Sequence, residues 1–438
     1  MNSKQKKQVI FLSILAVILL AINGVLAVMA FKPESTPQDI EIVYWGIWEP
    51  DAVMHPLIEK YEAENPGVKI LYSKQSIKNF ESLTYARLEQ ATKSSEPAPD
   101  IIRISNTWLP KFQKYLYPIP EDIFSKEEFK QEFYPTVIED FTGTDGEIYA
   151  IPLQIDGLMV IYNKQLLARE GYSTPPQDWD SFMYAAQKLT KRDDKDKITQ
   201  SGLAIGTSRN ITNAASILMY FFLQNDADLM NDANNQVNLT SERAVSALDT
   251  YTSFTKETNA TWAPYLANDL TTFMNGDLAM IFGTTWTAFE ILESAPEIEF
   301  GLAPLPQLPN NEKVYYASYW GDTVSKTSKN RNEAWKFIKF LSEPEQQRRL
   351  FANSSKIRAF GEPYSRVSMN AELAENTYTK AIAQMAPYMK SWQIGEQTFV
   401  ENLLTTAITE VAENNKESRN ILESIETQIN EKLAVSNK

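Results

Sequence analysis

IEIVYWGIWEPDAVMHPLIEKYEAENPGVKIL, residues 40–71, is the stretch whose reading decides the fold. It begins as a strand and turns aromatic at its end, with Trp45 and Trp48. Asp51 to Ala63 then shows helical apolar spacing, and Asn65-Pro66-Gly67 stops the helix. Val68 to Leu71 reads as a second strand, Phe80 to Thr92 as a second helix, and PDIIRIS from Pro99 as a third strand feeding Thr107 and Trp108. This β-α-β-α-β order predicts a parallel sheet with right-handed crossovers, whose strand ends share one edge. Ligands of open α/β sheets sit beyond that edge. Trp45, Trp48, Asn106 and Trp108 all fall near it.

A second alternating unit follows. EIYAIPLQIDGLMVIYNKQLL, from Glu147, gives two strand-like runs interrupted by Gln154, Asp156 and Gly157. Trp179 to Thr190 reads as helix, Gly202 to Ile205 as strand, and Ala214 to Leu223 and Ala244 to Lys256 as helices. In FMNGDLAMIFGTTW, Phe273 to Trp286, Gly276 suits a helix C-terminus, and Leu278 to Phe282 reads as a buried strand. Thr284 and Thr285 are placed to cap a following helix, which sets Trp286 at a strand's carboxyl end. Phe300 to Leu305 reads as a further strand and Asn332 to Leu341 as a helix, and from Glu396 onward the chain is helical and amphipathic.

At 438 residues the chain exceeds one ordinary core, so two domains are expected. The net charge is -14 although the first 32 residues contribute four lysines, so the remainder is more acidic still, which argues against a nucleic-acid partner. The absence of cysteine removes thiol chemistry, disulfides and thiolate metal sites. The single histidine, His55, lies in a helical segment and reads as a surface residue, so no metal or other cofactor is expected. Val9 to Phe31 carries no charge and is long enough to cross a bilayer. Lys4, Lys6 and Lys7 before it keep the amino end in the cytoplasm and the bulk of the chain outside. An uncleaved membrane anchor over 1–31 is expected, with a cleaved signal peptide as the alternative, followed by a polar tether at 32–38.

A neutral polar ligand such as a sugar needs flat apolar faces plus a few directed hydrogen-bonding groups. Trp45, Trp48, Glu49, Trp108, Asp156, Trp286 and Trp320 recur at strand ends and supply both, although each alone reads equally well as packing or as a solvated charge. The chain resembles the extracellular solute-binding proteins of ABC importers, especially the sugar-binding branch that includes maltose-binding proteins. The resemblance is carried by residues 40–70, PDIIRISNTWLPKF, the Tyr162 to Lys164 element, Phe273 to Trp286, FGLAPLP and YWGDTVSKTSKNRNEAWKFIKFLSEPEQQRRLF.

That resemblance implies an α/β, two-lobed clamp around a central cleft, with lobe 1 at 39–155 plus 319–353 and lobe 2 at 156–318 plus 354–438. It implies capture of a mono- or oligosaccharide and delivery to the transmembrane subunits of an ABC permease, without catalysis. By analogy the ligand-binding positions are Trp45, Trp48, Glu49, Asn106, Trp108, Gln154, Asp156 and Trp286, and the strand-end position adds Trp320. Arg358 stands where many relatives have proline, and it either contacts an anionic ligand group or forms a structural ion pair. The usual lipid-carrying cysteine is missing, consistent with anchoring through a helix. Two other readings are a surface glycoside hydrolase, for which Glu49 and Asp156 are the only candidate pair, and an adhesive surface protein with a degenerate cleft.

Overall fold

In the computed structural model of the chain, the described residues are 40–94, 96–231, 236–256, 260–309 and 311–436. The strands are β1 (Ile40–Gly46), β2 (Val68–Lys74), β3 (Ile101–Ser105), β4 (Leu116–Tyr117), β5 (Ile151–Pro152), β6 (Met159–Asn163), β7 (Lys191–Arg192), β8 (Ile198–Gln200), β9 (Met280–Gly283), β10 (Phe300–Ala303), β11 (Tyr315–Tyr316), β12 (Trp320–Ser325) and β13 (Met389–Lys390). The first sheet runs β2-β1-β3-β12-β4, with β5 also on β12. As expected, β1 pairs in parallel with β2 and β3, and the intervening helices are Asp51–Glu64 and Phe80–Lys93. The late strand β12 enters antiparallel beside β3. Every residue of β3 is buried, as a central strand covered on both faces requires.

The second sheet is β10-β6-β9, antiparallel throughout. Its helices include Trp179–Leu189, Ala214–Gln224, Glu242–Ser253 and Thr285–Ser294. The strand expected at Gly202 to Ile205 does not form. Ser201 bridges Leu278, but the chain then packs so tightly on the helix Trp179–Leu189 that a Cβ on Gly202 would sit 1.8 Å from the Ala186 carbonyl oxygen. Gly206, at φ +93°, turns the chain away before a ladder extends. The carboxyl-terminal segment is two helices, Gln397–Ala412 and Ser418–Ser436.

The chain passes between the sheets three times. Gln154 to Leu158 leads from β5 to β6, Ala317 to Tyr319 leads into β12, and Glu362 to Ser365 leads back after the helix Pro344–Ser354. These segments lie side by side. The N–H of Ile155 donates to the Pro363 carbonyl at 3.0 Å, that of Ser318 to the Asp156 carbonyl at 2.9 Å, and that of Leu158 to the Tyr316 carbonyl at 3.2 Å. A Cβ on Gly157 would come within 2.2 Å of the Tyr316 carbonyl oxygen, so only glycine admits this approach.

The expected anchor at 1–31 and the tether at 32–38 lie outside the described residues. Among the described residues no helix is long and apolar enough to cross a membrane.

Candidate functional site

The loop after β1 turns Trp48 toward the second sheet, while β9 and the helix behind it present Trp286 from the opposite side. The two indoles meet with ring centroids 4.7 Å apart. Trp320, the first residue of β12, stands edge-on to Trp48 at 6.0 Å. Beside them is a cavity of about 160 Å³ lined by Trp48, Gln154, Asp156, Thr284, Trp286, Ser318, Tyr319, Trp320 and Glu362. Larger hollows lie elsewhere, including one of about 590 Å³ near Lys114 and Arg331. The small cavity collects indoles from both sides together with crossing-segment carboxyl and amide groups.

Asp156 is anchored by its neighbours. Its carboxylate accepts from Thr285 N–H at 3.1 Å, from the Thr285 hydroxyl at 2.6 Å and from Gly157 N–H at 2.8 Å, so it holds the first turn of the helix that carries Trp286. Burial pushes its pKa up to about 7 against these hydrogen bonds. Gln154 donates to Glu49 Oε1 at 2.8 Å and to Glu362 Oε2 at 3.1 Å, joining two buried acids. Burial and the charge of Glu49 push Glu362 up to about 7, opposed by Arg358 and Arg103.

Behind the cavity, fully buried Arg103 pairs with both Glu49 and Asp322, donating to Asp322 Oδ1 at 2.9 Å and to the Tyr44 hydroxyl at 2.9 Å. The two acids respond differently to the same guanidinium. Burial raises Asp322 despite Arg103, whereas at Glu49 burial is outweighed by Arg103, a backbone hydrogen bond and Arg358, which together hold it below the ordinary carboxylate range. We attribute the difference to the extra cation at Glu49, since Asp322 has Glu49 itself as an unfavourable neighbour.

Trp48, Gln154, Asp156, Trp286 and Trp320 are thus brought to one cavity, with Glu49 directly behind Gln154. Trp45 is not brought there. Side chains alternate along a strand, so Tyr44 faces Arg103, and Trp45 instead lines a separate hollow of about 630 Å³ with Arg87 and Ala91. Asn106 is buried, donating to Asp140 at 3.0 Å and accepting from Tyr319 N–H at 3.3 Å. Trp108 is also buried. It stacks on Phe112, gives its indole N–H to Gln397 at 2.9 Å and meets Trp320 edge-on at 5.1 Å, so it props Trp320 from behind. Arg358 is taken by an ion pair with Glu362 at 2.8 Å and lies over the rings of Trp286 and Phe289 at 4.8 and 4.6 Å.

Sequence reasoning missed Arg103, Asp322 and Glu362. A charge inside the apolar run of PDIIRIS was the available sign for Arg103, since a buried arginine requires acidic partners. Nothing in the sequence paired it with Glu49 or with Asp322, which the β3–β12 ladder sets directly opposite it.

A mixed α/β fold with a lined gap between two sheets, crossed three times by the chain, defines a binding clamp. Residues 46–348 match the family described as bacterial extracellular solute-binding protein, and the chain belongs to that family. A binding protein of Brucella abortus (strain 2308) is 24% identical over 385 residues, covering 84% of this chain and 89% of that one. The maltotriose-binding protein of Pyrococcus abyssi is 23% identical over 322 residues, covering 71% and 64%. The sugar-binding protein MalE from Xanthomonas citri superposes with a TM-score of 0.73 at 22% identity, covering 90% of this chain and 97% of that one. The chain is the extracellular solute-binding component of an ABC importer, and nothing in these likenesses favours a glycoside hydrolase. Family and fold are those of binding proteins rather than enzymes.

Proposed function

We propose that the chain captures a small carbohydrate between two lobes, 39–155 plus 319–353 and 156–318 plus 354–438, and presents it to the transmembrane subunits of a permease. The observation that carries this reading is the convergence of Trp48, Trp286 and Trp320 on one cavity with Gln154, Asp156 and Glu362 at its edge. Sugar C–H faces lie on indole rings, while hydroxyls exchange hydrogen bonds with amide and carboxyl groups. The names of the Pyrococcus and Xanthomonas relatives support the same ligand class. In this reading Trp48, Trp286 and Trp320 stack on the ligand, and Gln154, Asp156 and Glu362 bond to it. Glu49, Asn106, Trp108 and Arg358 position those groups, and Trp45 has no part. The uncharged run Val9 to Phe31 supports a helical anchor in the cell membrane with the binding domain on the extracytoplasmic side.

A sugar ring sandwiched between two indoles needs about 3.5–4.0 Å on each side, so Trp48 and Trp286 at 4.7 Å must part to admit it. Their separation makes intrinsic fluorescence the natural readout. Titration with mono- and oligosaccharides is expected to give a saturable change with the sugar recovered unaltered. Trp286→Ala is expected to weaken binding at least about tenfold with the unfolding midpoint nearly unchanged. Unchanged affinity in that variant removes Trp286 from the site, and liberated reducing ends would turn the reading toward hydrolysis.

A further inference from the structure

The charge around the cavity is one-sided. Among its lining residues Asp156 and Glu362 are acids, and none is lysine, arginine or histidine. Both nearby guanidiniums pair with acids. Arg103 is held by Glu49 and Asp322, and Arg358 pairs with Glu362 through Nη2 and lies over Trp286 and Phe289, its buried Nε having no hydrogen-bond partner among the described residues. An anionic ligand therefore meets two carboxyl groups and the negative faces of three indoles, and no cation among the lining residues receives it. A neutral ligand leaves the carboxyl groups as they are. A cation gains from both, since indole faces attract positive charge and a nearby cation favours the ionised form of a buried acid.

We propose that the sugar taken by this cavity carries a protonated amine, its ammonium group held by the Asp156 and Glu362 carboxyls against the indole faces of Trp48, Trp286 and Trp320. This rests on the carbohydrate reading above and narrows its substrate class to amino sugars.

The charged groups facing Glu362 are Glu49, Arg103 and Arg358, whereas Asp156 is faced by the neutral Thr285 and the backbone of Gly157. Both acids are held near neutrality by burial, so an arriving ammonium drives them toward carboxylates and releases protons. Affinity for the amine then rises as pH climbs through about 6 to 7.5. It falls again once the ligand amine loses its own proton, near the pKa of about 7.7–8.0 of an α-amino group.

The test is calorimetric titration of the full chain with matched pairs: glucosamine and glucose, galactosamine and galactose, mannosamine and mannose. Maltotriose, glucuronate and choline complete the set. In at least one pair the amine is expected to bind tenfold or more tighter at pH 7. Its affinity should rise severalfold from pH 6 to 7.5 while the neutral partner changes less than twofold. Glu362→Gln should bring the ratio within that pair below about threefold; the ratio and the pH profile of the unaltered protein decide the matter even if this variant folds poorly. A neutral sugar, maltotriose included, that binds as tightly as every amine overturns the amine inference and leaves the carbohydrate reading standing. Choline binding without any sugar overturns the carbohydrate reading and this inference with it, as does a failure of the whole set to bind.

Discussion

Arg103→Met removes the one cation between two fully buried acids, and the structure sets the scale of the loss. Arg103 bonds to Glu49 in the loop after β1, and within the first sheet to both Asp322 oxygens and to the Tyr44 hydroxyl. Methionine fills similar volume, so little of the effect is cavity formation; what remains is Asp322 without a counter-ion and Glu49 with Arg358 as its remaining cationic neighbour. Breaking a buried pair in this way costs about 3–5 kcal/mol. With a urea m-value of about 3 kcal/mol/M, the unfolding midpoint falls by about 1–1.7 M at pH 7.5. The pH dependence identifies the cause. Asp322, already raised by burial, rises further without Arg103, and Glu49 loses the largest cause that lowers it, so the penalty is absent below the ordinary carboxylate range and grows as pH rises through the raised Asp322 value. Urea unfolding of both proteins from pH 4 to pH 8 should therefore show a difference that widens with pH. Adding Glu49→Gln and Asp322→Asn should recover most of the loss. A difference below about 1 kcal/mol, or one indifferent to pH and to those additions, would refute the claim that charge compensation is what Arg103 provides.

Gly157→Ala forces a methyl group onto the Tyr316 carbonyl oxygen 2.2 Å away, and should cost about 1–3 kcal/mol in urea unfolding, with altered ligand affinity because the crossing segments shift. Asp156 is raised to about 7 by burial, so its contribution favours folding below the ordinary carboxylate range and is lost as pH rises toward 7; Asp156→Asn should flatten that fall between about pH 4 and 7 in thermal unfolding curves. Asp140→Ala leaves the buried donors of Asn106 and Tyr319 without their acceptor, and a loss of about 2–4 kcal/mol is expected in chemical unfolding.

The first sheet was legible because its signals are local. The helix stop at Asn65-Pro66-Gly67 and the apolar run at Ile101 mark β2 and β3 without reference to distant residues. Gly202 to Ile205 misled for the complementary reason: a short apolar run looks the same whether it joins a ladder or packs against a helix, and the contact with Ala186 decided it. Within the site, position at strand ends found Trp48, Trp286 and Trp320 but placed Trp45 with them, since one residue along a strand exchanges its two faces. Glu362 was out of reach, because its partners Gln154 and Glu49 lie 208 and 313 residues earlier and only the third crossing brings them together.

The place of β12 in the first sheet has a consequence for biosynthesis. It lies between β3 and β4, although some two hundred residues separate it from either. A nascent chain that has delivered β1, β2 and β3 still lacks the partner for one side of β3, and must keep that apolar strand unsatisfied until Trp320–Ser325 has left the ribosome. The amino-terminal half therefore resists early completion, which leaves the polypeptide pliant for passage across a membrane and exposes it to aggregation wherever passage is delayed.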